Sequence, residues 1–346
     1  MHATPLPSTR AEMRAVPAAA KRPRLYKPMI VRIGDIAWLT PLRIFAIVAL
    51  VTGAISWLLG TPLATALNTA YGLAIVNYLV RRHQRLLQRM RGSIALDDAH
   101  YKYEWYGLAH FRPILIIGAA LLSPIALVAV NWNSEALRAI FSGHAFPPAY
   151  LWALALAMFD WILIMQISVI IVSNALRFYR LGLHHTRIDL LDTTVLAPYA
   201  LAGVAVLVLF AGSYTIIPIA AVDSMRFLGA ALRSLVFSLP IALAGILLPV
   251  LGIHRTIVAT KAAEIAKVTR AIHGDRAALA ETRLADESAT VPVSNLVLYR
   301  QTVTAISDWP LDSVAAVRMA VIIVVPVLAW VAGALVDRMI NRVLGG

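Results

Sequence analysis

The chain has 346 residues, of which 60% are hydrophobic and 14% charged, and its mean hydropathy is +0.75. Soluble globular proteins have roughly 45–50% apolar and about 25% charged residues, so this composition favours a protein embedded in a bilayer and excludes a disordered chain or a disulfide scaffold. The 31 Lys and Arg outnumber the 18 Asp and Glu, and the absence of cysteine excludes thiol catalysis, cysteine-bound zinc and iron–sulfur clusters.

Residues 1–41 predict a basic N-terminal arm on the cytoplasmic side of the membrane. They mix Ala and Pro with cationic residues and lack the apolar run and cleavage site of a secretory signal peptide. The cationic residues are Arg10, Arg14, Lys21, Arg22, Arg24, Lys27 and Arg32. We expect this arm to be attracted to anionic headgroups, and residues 30–38 to form a short interfacial helix that leads into the membrane.

Seven stretches approach the ~20 apolar residues that a helix needs to cross a bilayer. They are residues 42–59, 61–80, 113–130, 150–176, 195–219, 228–253 and 314–336. Asn68, Tyr71 and Asn77 interrupt the second of them. The sequence predicts an all-α, polytopic transmembrane helical bundle of about seven spans. Six spans form a transmembrane domain over residues 42–253, and residues 314–346 hold the last span and a C-terminal tail.

The distribution of basic residues predicts how these spans are oriented, because cytoplasmic connections of membrane proteins are enriched in Lys and Arg. With the N-terminus in the cytoplasm, 26 of the 31 Lys and Arg residues fall on that side. The outside then holds Arg138, Arg226, Arg233, Arg338 and Arg342. We predict a cytoplasmic N-terminus and an outside C-terminus in a bacterial inner membrane, since outer membranes take β-barrels. The bilayer with its anionic headgroups accounts for the net charge, so no nucleic-acid partner is expected.

Residues 254–313 predict a cytoplasmic helical hairpin between the sixth and seventh spans. Apolar residues recur every seven positions at Leu251, Val258, Ile265, Ile272 and Leu279, and Val268 adds a further apolar position to this weak heptad pattern. A turn over 285–292 and a second helix that returns to the membrane near Asp308 complete the hairpin. Val258, Ile265, Val268, Ile272 and Leu279 are therefore the predicted surface for association with a second copy or a protein partner.

Asp160 is the only Asp or Glu well inside a predicted span. A carboxylate at that depth costs a few kcal/mol, so we expect it to face the bundle interior, to be protonated or to find a partner. Its candidate polar neighbours on the same span are Gln166, Ser168, Ser173 and Asn174. Two hypotheses remain open: a site that responds to protons or cations, and a neutral acid hydrogen-bonded between helices.

Five histidines fall near the cytoplasmic ends of predicted spans: His83, His110, His184, His185 and His254. If packing brought them together, their imidazoles could hold a metal ion at the membrane interface. Their spacing matches no H-E-x-x-H motif. No span contains the lysine that a retinal Schiff base requires, and no cofactor is expected.

No motif in the sequence specifies a reaction, since it contains neither a glycine-rich phosphate loop nor a serine nucleophile elbow. The first hypothesis is a non-catalytic membrane signalling or scaffold protein that acts through its cytoplasmic hairpin. The second is a transporter or channel that uses Asp160 to move protons, ions or a small lipophilic solute. The third is a membrane-embedded enzyme with an interfacial histidine-bound metal. The spans offer a thin polar lining for transport, which favours the first hypothesis.

Overall fold

The computed structural model describes residues 25–36, 38–131, 147–219, 224–280, 282 and 292–310. Residues 1–24 of the predicted arm and the predicted last span, 314–336, lie outside this part of the chain. Within it, every regular element is a helix, and β-type pairing is limited to isolated bridges between Tyr26 and Phe111 and between Ile94 and Thr186. The prediction of an all-α fold is confirmed for the described residues.

The helices are α1 (Met29–Arg32), α2 (Pro41–Leu58), α3 (Leu63–Arg89), α4 (Asp98–Gly107), α5 (Pro113–Asn131), α6 (Pro148–His184), α7 (Ala197–Ile219), α8 (Ser224–Ile272), α9 (Arg276–Ala280) and α10 (Val293–Ala305). Among the described residues, five helices are long and apolar enough to cross a membrane: α2, α3, α6, the segment Thr193–Ser213 that includes most of α7, and Val236–Ile272 of α8. The described part of α5, Pro113–Ala129, is a shorter apolar helix. This composition and length are those of an integral membrane protein.

Local chemistry sets the ends of the hairpin formed by α2 and α3. The Thr40 hydroxyl accepts a hydrogen bond from the Arg43 backbone N–H at 3.3 Å, and Pro41 suits the first turn because that position needs no donor. After α2, Gly60 adopts a φ of +65°, a left-handed conformation that only glycine accepts at little cost. Pro62 then precedes α3. The chain therefore reverses within a few residues, and α2 and α3 run antiparallel.

Contacts between helices give the relative directions of α3 and α7. The Tyr71 hydroxyl donates to the carbonyl of Val208 at 2.7 Å, and the His83 ring lies 3.3 Å from the carbonyl of Ala202. Residue numbers therefore rise along α3 as they fall along α7, so these two helices are antiparallel.

The same reasoning shows that α6 and α8 run parallel. An added Cβ at Gly245 would meet Ile171, and one at Gly182 would meet the backbone of Ile253. Residue numbers thus rise together along both helices. Since α3 also runs parallel to α6, as its contacts with Asp160 and Asn174 show below, the C-terminal ends of α3, α6 and α8 lie at one end of the bundle.

The core lies around α3, and apolar side chains cover the outside of the bundle. Val76 and Leu79 of α3 are 0% exposed, whereas Leu50 of α2 is 73% and Leu121 of α5 is 71% exposed. An apolar surface of this kind suits lipid rather than water. The peripheral helices are thus apolar on both faces, as expected for helices between a protein core and lipid.

α8 is much longer than a membrane crossing requires. Its 49 residues extend over about 73 Å at 1.5 Å per residue, against a hydrocarbon core of ~30 Å. Pro240 and Pro249 lie within the helix and do not end it; membrane helices tolerate proline where neighbouring groups satisfy the freed carbonyls.

Beyond Ile272, Gly274 takes a φ of +93° and the chain turns back. α10 packs against the last turns of α8.

Candidate functional site between α3 and α6

Asp160 of α6 is hydrogen-bonded to two polar side chains of α3. The Asn68 amide nitrogen donates to Asp160 Oδ2 at 2.8 Å, and the Thr69 hydroxyl donates to Asp160 Oδ1 at 3.4 Å. Thr69 is almost completely buried, whereas Asn68 and Asp160 are partly buried. Both carboxyl oxygens therefore have a partner on the central helix of the bundle.

One atom of the Asn68 side chain has no partner among the described residues. Asn68 Oδ1 is buried and accepts no hydrogen bond. A buried carbonyl oxygen without a donor typically costs about 1–3 kcal/mol, so such atoms are uncommon in folded proteins. The Asp160 site thus contains an acceptor that a further donor or a bound cation would satisfy.

A second polar cluster lies at the opposite end of the same seam. The Asn174 amide nitrogen donates to His83 Nδ1 at 3.3 Å and to the Leu108 carbonyl at 3.2 Å, and His83 Nε2 lies 3.3 Å from the Ala202 carbonyl. Because the carbonyl needs a donor, these contacts assign a neutral His83 with its proton on Nε2. The cluster joins α3, α6, α7 and the segment before α5. Asn174 Oδ1 is buried and has no partner within the described residues.

The two clusters define the register of α3 against α6. Asp160 contacts Asn68, and Asn174 contacts His83. Between the clusters, the seam contains the buried apolar residues Leu163, Ile167, Ile170, Ile171, Leu73, Val76 and Leu79. Asp160 and Asn174 are about 21 Å apart along α6 at 1.5 Å per residue, so this stretch of apolar packing separates two distinct polar sites.

The structure does not gather the predicted polar neighbours around Asp160. Ser168 donates to the Ile164 carbonyl of its own helix at 2.7 Å, and Asn174 belongs to the His83 cluster. Gln166 and Ser173 are partly buried on α6 and make no hydrogen bond to Asp160 among the described contacts. The actual partners come from α3. Asn68 already stood out as a polar interruption of the second predicted span, and comparing polar residues between spans would have suggested the pair.

The five histidines suggested as metal ligands do not converge on one site. The rings of His184 and His185 have centroids 6.2 Å apart, whereas His83 lies in its own buried cluster. His254 stacks on Trp309 with ring centroids 4.0 Å apart. In the part of the chain that the structure describes, no three His, Cys, Asp or Glu side chains form a group that could hold a metal. The hypothesis of a histidine-bound metal therefore lacks a ligand set there.

His110 has yet another environment, on the segment between α4 and α5. Its ring stacks on Tyr106 with centroids 3.4 Å apart, and its Nδ1 lies 3.0 Å from the Tyr106 carbonyl. Burial lowers the pKa of His110 to about 4, although the contact with the carbonyl opposes the shift. The imidazole is therefore neutral near pH 7, and its role here is to pack against α4.

The predicted association residues on α8 and α9 divide into two groups. Val268 is 0% exposed and forms a small core with Ala271, Ala278 and Leu296, against which Ile272 and Leu279 pack. Ile265 is partly buried, and Val258 is 40% exposed. Much of the heptad surface is therefore covered by α9 and α10 of the same chain, and Val258 is its most exposed member.

Polar contacts fix the end of α10 to α8. Lys261 Nζ lies 2.8 Å from Asp308 Oδ1 and donates to the Ile306 carbonyl at 2.7 Å. His254 Nδ1 lies 2.7 Å from the Asp308 carbonyl. Nearer the tip, the Tyr299 hydroxyl donates to Glu264 Oε1 at 3.0 Å. The segment after α10 is thus held beside α8 close to the apolar part of that helix.

Comparison with known proteins gives no further guide to the function of these sites. The chain matches no protein-family model, no curated protein and no solved structure.

Proposed function

We propose that the chain is a seven-span protein of a bacterial inner membrane, with its N-terminus in the cytoplasm and its C-terminus outside. Because α3 and α6 run parallel, the chain has to cross back between them, and the apolar helix α5 would make that crossing. Together with α2, α3, α6, α7 and α8 this supports six crossings, and residues 314–336 would supply the seventh. Arg89 lies at the end of α3 and Arg180 near the end of α6, and Arg255 of α8 donates to the Tyr179 hydroxyl at the same end of the bundle. The positive-inside rule assigns that end to the cytoplasm.

We further propose that the protein acts in signalling or as a scaffold through its α8–α10 module, which we define as residues 254–280 and 292–310. The observation that carries this proposal is the continuity of α8, which passes from the apolar bundle into the module without a break. Within the module, the contacts of Lys261 and His254 with Asp308 fix the segment after α10 to this helix. A displacement of α8 within the bundle would therefore move the module with it.

This proposal is tested by photocrosslinking in intact membranes. A benzophenone side chain is introduced at Val258 or Leu298, which are 40% and 64% exposed on the module, or at Val236, which is 72% exposed on the apolar part of the same α8. We expect discrete protein adducts from the two module positions and none from Val236. The mass of each adduct separates a second copy from another protein. Absence of adducts at both module positions, or equal adducts at Val236, would contradict the proposal.

A second candidate function is transport coupled to Asp160. The observation that favours it is the hydrogen bonding of Asp160 to Asn68 and Thr69 in the seam between α3 and α6. Ionisable residues inside membrane bundles commonly belong to ion or proton pathways. The substrate would be a proton, an ion or a small lipophilic solute.

A further inference from the structure

We propose that Asp160, Asn68 and Thr69 form a proton-binding site in which Asn68 is a hydrogen-bond partner for both states of the carboxyl group. The site would serve as an input signal for the first candidate function or as the coupling site for the second, and it depends on neither. The proton is exchanged with water, so the step requires no other reactant.

The geometry suits the ionised carboxylate. Asn68 donates to Oδ2 at 2.8 Å and Thr69 donates to Oδ1 at 3.4 Å. Hydrogen bonds to a charged acceptor are stronger than those between neutral groups. Together they stabilise a negative charge that would be costly among apolar helices without them.

The same side chains also suit the neutral acid. An asparagine amide carries a donor and an acceptor, and rotating it by a half turn exchanges their positions. In the rotated state, the protonated Asp160 would donate to Asn68 Oδ1, the atom that has no partner among the described residues. The Thr69 hydroxyl can donate or accept in the same way. The partners on α3 therefore adapt to a change in protonation without a change in helix packing.

The neighbours of Asp160 add no compensating charge within the described residues. From α3, its contacts are the uncharged Asn68 and Thr69, and the phenol of Tyr71 is directed to α7. Other described contacts of α6 with neighbouring elements are also uncharged: Trp152 donates to Ser56 of α2, and Trp161 packs with Ala126 and Leu127 of α5. About 16 Å further along the helix, Ile171 belongs to the apolar core that includes Val206 of α7, beside Gly245 of α8. No described cation forms an ion pair with Asp160. A proton is thus the simplest source of neutralisation.

Infrared spectroscopy of the purified protein in lipid nanodiscs tests the proposal, because a protonated carboxyl has a carbonyl stretch that a carboxylate lacks. We expect a carbonyl band that titrates with pH and disappears in Asp160→Asn. The matched control is Asp98→Asn, at a side chain that is 82% exposed; this variant should keep the band.

Variants of the partners test the specific role of α3. Asn68→Leu removes this partner from both forms, and because the hydrogen bond to the charged form is the stronger one, the Asp160 band should persist to a pH higher by roughly one to two units. Thr69→Val keeps the side-chain shape and should shift the titration in the same direction by less, which covers the case in which Asn68→Leu does not fold.

Three results would overturn the proposal. The first is that no pH gives a carbonyl band that Asp160→Asn removes. The second is a titration that neither partner variant shifts. The third is a band that sodium abolishes at constant pH, which would indicate a cation site instead. Flux across a pH step in liposomes decides the transport function separately. Titration without flux would support the proton-binding site and reject transport. Photocrosslinking tests the role of the module independently of both.

Discussion

Replacing Gly252 with alanine is expected to destabilise the folded protein by about 1–3 kcal/mol, the usual cost of forcing an extra methyl group into a packed interior. A Cβ at this position would overlap the carbonyl oxygen of Tyr179 and lie 2.9 Å from its Cα. Those atoms belong to the backbone of α6, so no side-chain rotation relieves the overlap. α6 and α8 would have to separate at this close contact, where Gly182 of α6 also faces the backbone of Ile253.

Gly118→Ala is the matched control for Gly252→Ala. Gly118 also lies inside an apolar helix, α5, but nothing lies within 4 Å of an added Cβ. Alanine there should be neutral or stabilising by up to about 1 kcal/mol, because it favours the helix more than glycine does. Unfolding in mixtures of detergent and sodium dodecyl sulfate, followed by tryptophan fluorescence, measures both changes. Equal stability of the two variants would refute the close contact between α6 and α8.

Asn174→Leu is expected to cost roughly 2 kcal/mol, because it leaves buried acceptors without their donor. Asn174 is 0% exposed, and its amide donates to both His83 Nδ1 and the Leu108 carbonyl. Leucine has a similar volume, so the loss reports the hydrogen bonds rather than a cavity. The affected contacts join α3 and the segment before α5 to α6, and their loss should loosen the basic end of the bundle.

Ser168→Ala provides the control for the Asn174 cluster. The Ser168 hydroxyl donates to the Ile164 carbonyl in its own helix, so its removal breaks no contact between helices. We expect a change below about 1 kcal/mol. The same unfolding measurement applies to both variants. If Asn174→Leu were no more destabilising than Ser168→Ala, the assigned hydrogen-bond network would be wrong.

The apolar helices were predictable from the sequence because their signal is local. A crossing requires a continuous apolar stretch, and each of the first six predicted stretches overlaps an observed helix. The helix ends were less predictable. The fourth stretch was predicted over 150–176, whereas α6 extends over Pro148–His184, because a helix continues beyond the bilayer while its backbone bonds and packing remain favourable.

The candidate sites were only partly predictable, because their partners are distant in sequence. A charged residue in an apolar span identifies Asp160, but its contact with Asn68 joins residues 92 positions apart. The heptad pattern likewise identified buried positions such as Val268, yet periodicity in one helix does not specify what covers its face. Here α10 of the same chain does so. The histidines lie toward the same end of the bundle without sharing a site.

The most direct test of the proposed membrane arrangement is labelling of single cysteines, which the cysteine-free chain permits. Thr61→Cys lies in the turn between α2 and α3, Gly92→Cys follows the basic end of α3, and Gln301→Cys lies on α10. We expect an impermeant maleimide applied to intact spheroplasts to label Thr61→Cys alone, and to label the other two only after permeabilisation. Labelling of Gln301→Cys from outside, or of Thr61→Cys and Gly92→Cys from the same side, would contradict the arrangement.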